Sequence, residues 1–298
     1  MAKRFSESEK AICAQFAVGK QFCFGGGEYE IVTSGKPICF KGEPKTDVYV
    51  LARSAQGMKI ELKISFKQRN ADFLENKTNK ERAEAIFGVD WQSIIGMSTL
   101  GIRAKFEGRH FVYKSSCGKT GAGAITLGWR FELLNKPSGE LSGEMLMSRE
   151  QVIDVYAGTN LPPDKRNSKV NGEVIKDSGI ATHLLFDDMP CATLQETIDS
   201  LYTVEQYVER HPKIYFACKA LNYRSATKKY DGNRPLAVYV DWSAIDGKLS
   251  ACLVFDAPLL QGGKFVLEKL LTAMQTLGIK DTRDITAEKI QNEIRILG

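Results

Sequence analysis

Residues 47–67 read DVYVLARSAQGMKIELKISFK. Two runs rich in aromatic and β-branched residues flank a short polar bend, which is the pattern of a β-hairpin. In the second run Glu61, Lys63, Ser65 and Lys67 stand at every second position, and Met58, Ile60, Leu62, Ile64 and Phe66 take the alternate ones. Successive side chains of a strand point to opposite faces. One face is therefore polar, and the other is expected to enter a core. With the turn centred near Ala55-Gln56, Asp47 falls opposite Lys63 or Ile64, which brings Asp47, Glu61 and at least one ammonium within a few ångströms. Two carboxylates held so close repel each other, and such a pair implies a bound cation. Their hard oxygens suit Mg²⁺, with Mn²⁺ as a substitute. A lysine alongside orients or deprotonates an attacking water, or offsets transition-state charge.

The rest of the chain reads as α/β or α+β. Its 298 residues suffice for one large domain or two ordinary ones. Ser6 and Glu9 form a capping-box pattern ahead of an apolar-periodic stretch that ends at Gly19. A helical region is expected over 70–100, and strands in RHFVYKSS and AITLGWRFELL. The composition shifts at NKPSGELSG, which sets a soft boundary between residues 1–136 and 137–298. Beyond it come a helix in SREQVIDVYAGT, a strand in ATHLLFDD and one long helix in TLQETIDSLYTVEQYVERH. A second hairpin turns over AIDG, and two helices close the chain.

Asp47, followed by Glu61-Leu62-Lys63 on the next strand and preceded by Pro44, resembles the PD-(D/E)xK nuclease superfamily. The proline stands three residues before the Asp rather than next to it. The resemblance covers about residues 5–135. It implies a restriction-endonuclease-like mixed sheet flanked by helices, here with an elaborated C-terminal half. It also implies Mg²⁺-dependent hydrolysis of DNA phosphodiesters, with Asp47 and Glu61 as metal ligands and Asp47, Glu61, Lys63 and Lys67 as the catalytic set. A second alignment resembles members that carry Ser-x-Lys: Ser65 and Lys67 are then the matching pair, and the second acid is Glu61, Glu28, Glu30 or Glu9. Both registers include Asp47. An alternating charged strand is equally the wet face of an antiparallel sheet. The other reading is a nucleic-acid-binding protein on the same scaffold without cleavage.

Other chemistry finds little footing. The seven cysteines are scattered without a CxxC pair, and the three histidines form no metal-binding spacing. Gly118-Lys119-Thr120 resembles the end of a phosphate-binding loop, but Tyr113 stands where that loop needs glycine. Asp187-Asp188 reads as a strand end. The net charge of +5 permits a polyanionic partner. Double-stranded DNA is the partner expected, with Lys45, Arg69, Lys119, Arg166, Lys169, Arg224, Lys228 and Lys229 as its contacts. A homodimer is left open. No apolar run reaches the roughly 18 residues of a membrane span. MAKRFSESEK has no apolar stretch behind its basic residues, so the cytoplasm of a prokaryotic or phage-infected cell is the expected compartment.

If Lys228 and Lys229 touch phosphate, replacing both with alanine will flatten the slope of log affinity for DNA against log salt by about one to two units. Binding titrations across a salt series measure it, and an unchanged slope makes the cluster ordinary surface.

Overall fold

The computed structural model describes residues 10–40, 42–67, 73–76, 78–186, 193–291 and 294–298. Ser6, Glu9, Arg69, Asp187 and Asp188 lie outside these. The fold is mixed α+β, with sheets flanked by helices. The chain divides into two compact units, each made of two segments: Met1–Asp72 with Met147–Lys213, and Phe73–Leu146 with Ile214–Gly298. This corrects the division at residue 136. Long-range strand pairing, rather than local composition, decides which segments belong together.

The first unit holds β1 (Gln21–Phe24), β2 (Gly27–Gly35), β3 (Val48–Arg53), β4 (Lys59–Lys67), β9 (Lys169–Val170), β10 (Glu173–Val174), β11 (His183–Phe186) and β12 (Tyr202–Thr203). Its six-stranded sheet runs β1-β2-β3-β4-β11-β12, and β9 and β10 form a separate hairpin. β1 to β4 form an antiparallel meander, whereas β11 joins β4 in parallel. The expected hairpin is present, with Gly57 at φ +86 in its turn. Leu62, Ile64 and Phe66 enter a core with Phe16, Phe22, Ile31, Val50, Leu185, Leu194 and Ile198, and Ile60 packs at its edge. Met58 departs from the expected alternation: it stands in the turn and is exposed.

The opposite face of this sheet is also covered. Phe186 stacks on Tyr207 at 4.7 Å between ring centroids, and Tyr207 meets Tyr156 edge-on at 5.3 Å. Tyr156 belongs to the helix Arg149–Ala157, which is closed at its start by a Ser148/Gln151 capping box and at its end by Gly158 at φ 75. The expected long helix over 193–211 is two helices, Leu194–Asp199 and Val204–Arg210. Thr203 is the reason: extended at ψ 152, it caps the second helix through a box with Gln206 and cannot also continue the first.

The second unit holds β5 (Phe73–Glu75), β6 (Val112–Tyr113), β7 (Ala124–Leu134), β8 (Ser142–Met145), β13 (Ile214–Arg224), β14 (Lys229–Tyr230), β15 (Val238–Ile245), β16 (Lys248–Val254) and β17 (Ile296–Leu297). Its main path is β14-β13-β7-β15-β16. β15 and β16 form the expected second hairpin, with Asp246 and Gly247 both at positive φ as a two-residue turn requires. The expected helical region contains Lys80–Phe87 and Trp91–Leu100. One α-helix, Gly263–Thr276, stands where two were expected near the end of the chain. After it come two short 3₁₀ turns and β17, which pairs in parallel with β6.

Gly179 fastens the segment that leads into β3. Its carbonyl accepts from Lys45 N–H and Thr46 N–H at 3.0 and 3.3 Å. A Cβ built on Gly179 would lie 1.9 Å from the Lys165 carbonyl oxygen and 3.0 Å from Pro44 Cβ. Gly179→Ala must therefore push two backbone segments apart. The expected loss is about 1–3 kcal/mol, read from urea unfolding midpoints at constant m-value.

Candidate functional site

Asp47 stands directly before β3. Its N–H donates to the Ile64 carbonyl at 2.8 Å. Its Oδ2 accepts from Phe66 N–H at 2.7 Å and lies 3.4 Å from Ser65 Oγ. Ser65 is fully buried, so its hydroxyl needs a partner inside the protein, and Asp47 supplies one. Lys67, two residues on and half-buried, shares the Ser65 face and ends β4. Thr46, next to Asp47, buries a hydroxyl that has no hydrogen-bond partner among the described residues. Asp47 and Ser65 thus meet at one end of the sheet, and Lys67 stands two residues farther along the same strand face, opposite Phe186 of parallel β11.

Glu61 is not part of that group. The hairpin pairs Val48 with Ile64, Tyr49 with Lys63 and Leu51 with Glu61. Its turn is centred on Gln56, half a residue later than expected, which shifts Asp47 toward Ser65. Glu61 lies four positions back along β4, roughly 13 Å of strand from Ser65. The expected carboxylate pair of Asp47 and Glu61 is therefore absent. Glu61 instead accepts from Tyr49 Oη at 2.5 Å, and Lys63 Nζ lies 4.0 Å from its other oxygen. The Lys63 side chain is 12% exposed and that of Glu61 42%. Thr182 Oγ1 accepts from Lys63 N–H at 3.2 Å. Burial, then the hydrogen bond from its hydroxyl to Glu61, pushes the Tyr49 phenol well above the ordinary tyrosine range.

The alternative acids do not replace Glu61. Glu30 pairs with Arg53 at the far end of β3, six residues or about 20 Å from Asp47. Glu28 lies beyond it, opposite Cys23. Among the described residues, no group of three His, Cys, Asp or Glu side chains is arranged to hold a metal ion.

The expected DNA contacts divide between the units. Lys45, Arg166 and Lys169 belong to the first, and Lys119, Arg224, Lys228 and Lys229 to the second. Arg166 pairs with Asp177 at 2.5 Å, and its guanidinium holds that carboxyl below the usual range. Arg224 pairs with Asp231. Lys119, Lys169, Lys228 and Lys229 are exposed. Lys119 sits in a tight turn closed by Cys117 and Thr120 between β6 and β7, which differs from the strand-to-helix setting of a phosphate-binding loop. Tyr49 and Gly179 emerge here as residues that shape the site. Alternation in β3 puts Tyr49 on the Asp47 face, but nothing in the sequence marks its partner.

Because folding raises the Tyr49 pKa, the folded state keeps a proton that the unfolded chain gives up above pH 10. Tyr49 therefore adds stability below pH 10, and that contribution is lost as pH rises toward its folded pKa. The Tyr49→Phe variant will lose less stability than the wild type between pH 9 and 11, as measured by denaturant midpoints; parallel curves refute the buried phenol. In comparisons with known proteins, no family model, curated protein or solved structure matches this chain.

Proposed function

We propose that this chain is a Mg²⁺-dependent DNA endonuclease acting through Asp47, Ser65 and Lys67. The observation that carries the reading is the Asp47 carboxylate, 2.7 Å from Phe66 N–H and beside Ser65, on the strand that ends in Lys67. An Asp at the start of one strand and Ser-x-Lys on the next, in a mixed sheet covered on both faces, is part of the arrangement the nuclease resemblance implies in its second register; the second acid of that register would then be Glu9, which lies outside the described residues. The donors fit a hard cation. The Asp47 carboxylate is a hard oxygen ligand that buried Ser65 holds in place, and Mg²⁺ takes one or two carboxylates and completes its shell with water and phosphate. Bound there, the ion would supply Lewis-acid stabilisation of the phosphate and a more acidic water.

The chain's own residues would do the rest. Asp47 holds its place because Phe66 N–H and Ser65 Oγ fix one carboxylate oxygen. Lys67 directs its ammonium toward the attacking water or the developing phosphorane charge. Tyr49, Glu61 and Lys63 form a brace farther down the hairpin and take no part in the chemistry. Double-stranded DNA is the partner in this reading, and the cytoplasm is its setting. No described helix is long and apolar enough to cross a membrane.

The test is cleavage of plasmid DNA with Mg²⁺, with Mn²⁺ and with Ca²⁺, the last supporting binding without turnover. Asp47→Ala will abolish cleavage and leave binding in place. Lys67→Ala will slow single-turnover cleavage by about two orders of magnitude or more, whereas Lys63→Ala will change it little. Full activity in Asp47→Ala defeats the assignment. A larger loss from Lys63 than from Lys67 returns the chemistry to the Glu61 register. Binding by the wild type without cleavage under every metal condition favours the non-catalytic alternative.

A further inference from the structure

Phe40 is completely exposed, with a relative accessibility of 101%. Ile38 and Val174 beside it are also largely exposed. With Asn167, Lys169 and Asp164 they line an open cleft of 420 Å³. A cluster of apolar side chains held in water marks a surface that something covers. The segment carrying Phe40 is held at both ends. Ile38 exchanges two backbone hydrogen bonds with Lys169, at 2.9 and 2.8 Å, and Lys45 and Thr46 donate to Gly179. Ile38, two residues before the ring, is thus fixed within the first unit.

The surroundings favour a polyanion as the occupant. Segments 36–45 and 163–177 carry seven Lys or Arg against four Asp or Glu, and the whole chain carries a net +5 over 298 residues. The Arg166–Asp177 pair takes one charge of each sign, which leaves six cations against three acids. The Lys165 ammonium lies against the same loop, 3.1 Å from a Cβ built on Gly42. Phe40 also precedes Asp47 by seven residues, which span at most about 25 Å. At 3.4 Å per step this is about seven base pairs, within the footprint of a duplex seated at Asp47.

We propose that Phe40 is a wedge that enters the base stack of duplex DNA bound at the Asp47 site, with Lys165 and Lys169 holding the flanking phosphates. The inference rests on the nuclease reading. Proteins that kink DNA insert apolar side chains between base steps and recover the unstacking cost through added contacts. Phenylalanine suits that role because its ring stacks on any base.

The test uses the full chain in Ca²⁺ with duplex fragments of a plasmid that the wild type cuts in Mg²⁺. Permanganate oxidises thymines that have left the stack, so it reports a wedge without knowledge of the recognition sequence. The wild type will create reactive thymines within its footprint. Phe40→Ala will lose them and bind the duplex about five- to one-hundred-fold more weakly, while Phe40→Trp retains both. Since the ring is exposed, Phe40→Ala will melt at the wild-type temperature. Equal permanganate patterns and affinities in Phe40→Ala overturn the wedge, and continued cleavage by the wild type then leaves the nuclease reading standing. A shift from dimer to monomer on sedimentation with unchanged DNA affinity also overturns it, and assigns the patch to contact between copies. Failure of the wild type to bind or cut DNA removes both proposals.

Discussion

The pairing of Val48 with Ile64 governs what Asp47 can touch. In an antiparallel hairpin each residue has one cross-strand neighbour, and a slip of one position exchanges the two faces. This register sets the Asp47 carboxylate against Phe66 N–H and Ser65 Oγ and holds Glu61 away from it. It also brings Tyr49 opposite Lys63 and within reach of Glu61. Two polar groups that look continuous along β4 become two separate clusters, one around Asp47 and one around Tyr49.

The opposite face of β4 holds that register in place. Leu62, Ile64 and Phe66 are buried in a core that also takes residues from β2, β3 and β11. A slip would take these side chains out of that core and force them into the already covered opposite face, where overpacking costs about 1–3 kcal/mol. The polar face cannot slip cheaply either. Ser65 is buried, and without Asp47 its hydroxyl would lie unsatisfied at about 1–3 kcal/mol. Apolar burial on one side and polar satisfaction on the other therefore select the same pairing.

Much of this was legible from local pattern. The hairpin, the helix after Ser148 and the turn at Asp246-Gly247 all carry signals within a few residues: period-two alternation, a capping box and a two-residue turn. Asp47 was visible because an acid opens a strand whose partner ends in Lys67. The position of Glu61 relative to Asp47 was not, because half a residue in the centre of a turn lies below what turn chemistry specifies when the connection is five residues of Ser, Ala, Gln, Gly and Met. The break at Thr203 was hidden by apolar residues that keep helical spacing on both sides of it. The boundary at residue 136 failed for a larger reason: membership of a unit is decided by pairings such as Lys63 with Thr182, 119 residues apart, which no local window contains.

The parallel pairing of β4 with β11 has a consequence for the order in which the protein can be completed. During synthesis the meander β1 to β4 is available early, but its next strand emerges only after residues 73–146 have been made. The second unit waits in turn for residues 214–224 before β7 can find β13. Each unit thus exposes an unfinished sheet edge while part of the other is being translated. Such edges are where unwanted pairing begins. A chain cut short just before β13 would hold every segment of the first unit but leave β7 without its partner, so a ribosome that stalls there would release one finished unit joined to an open β7.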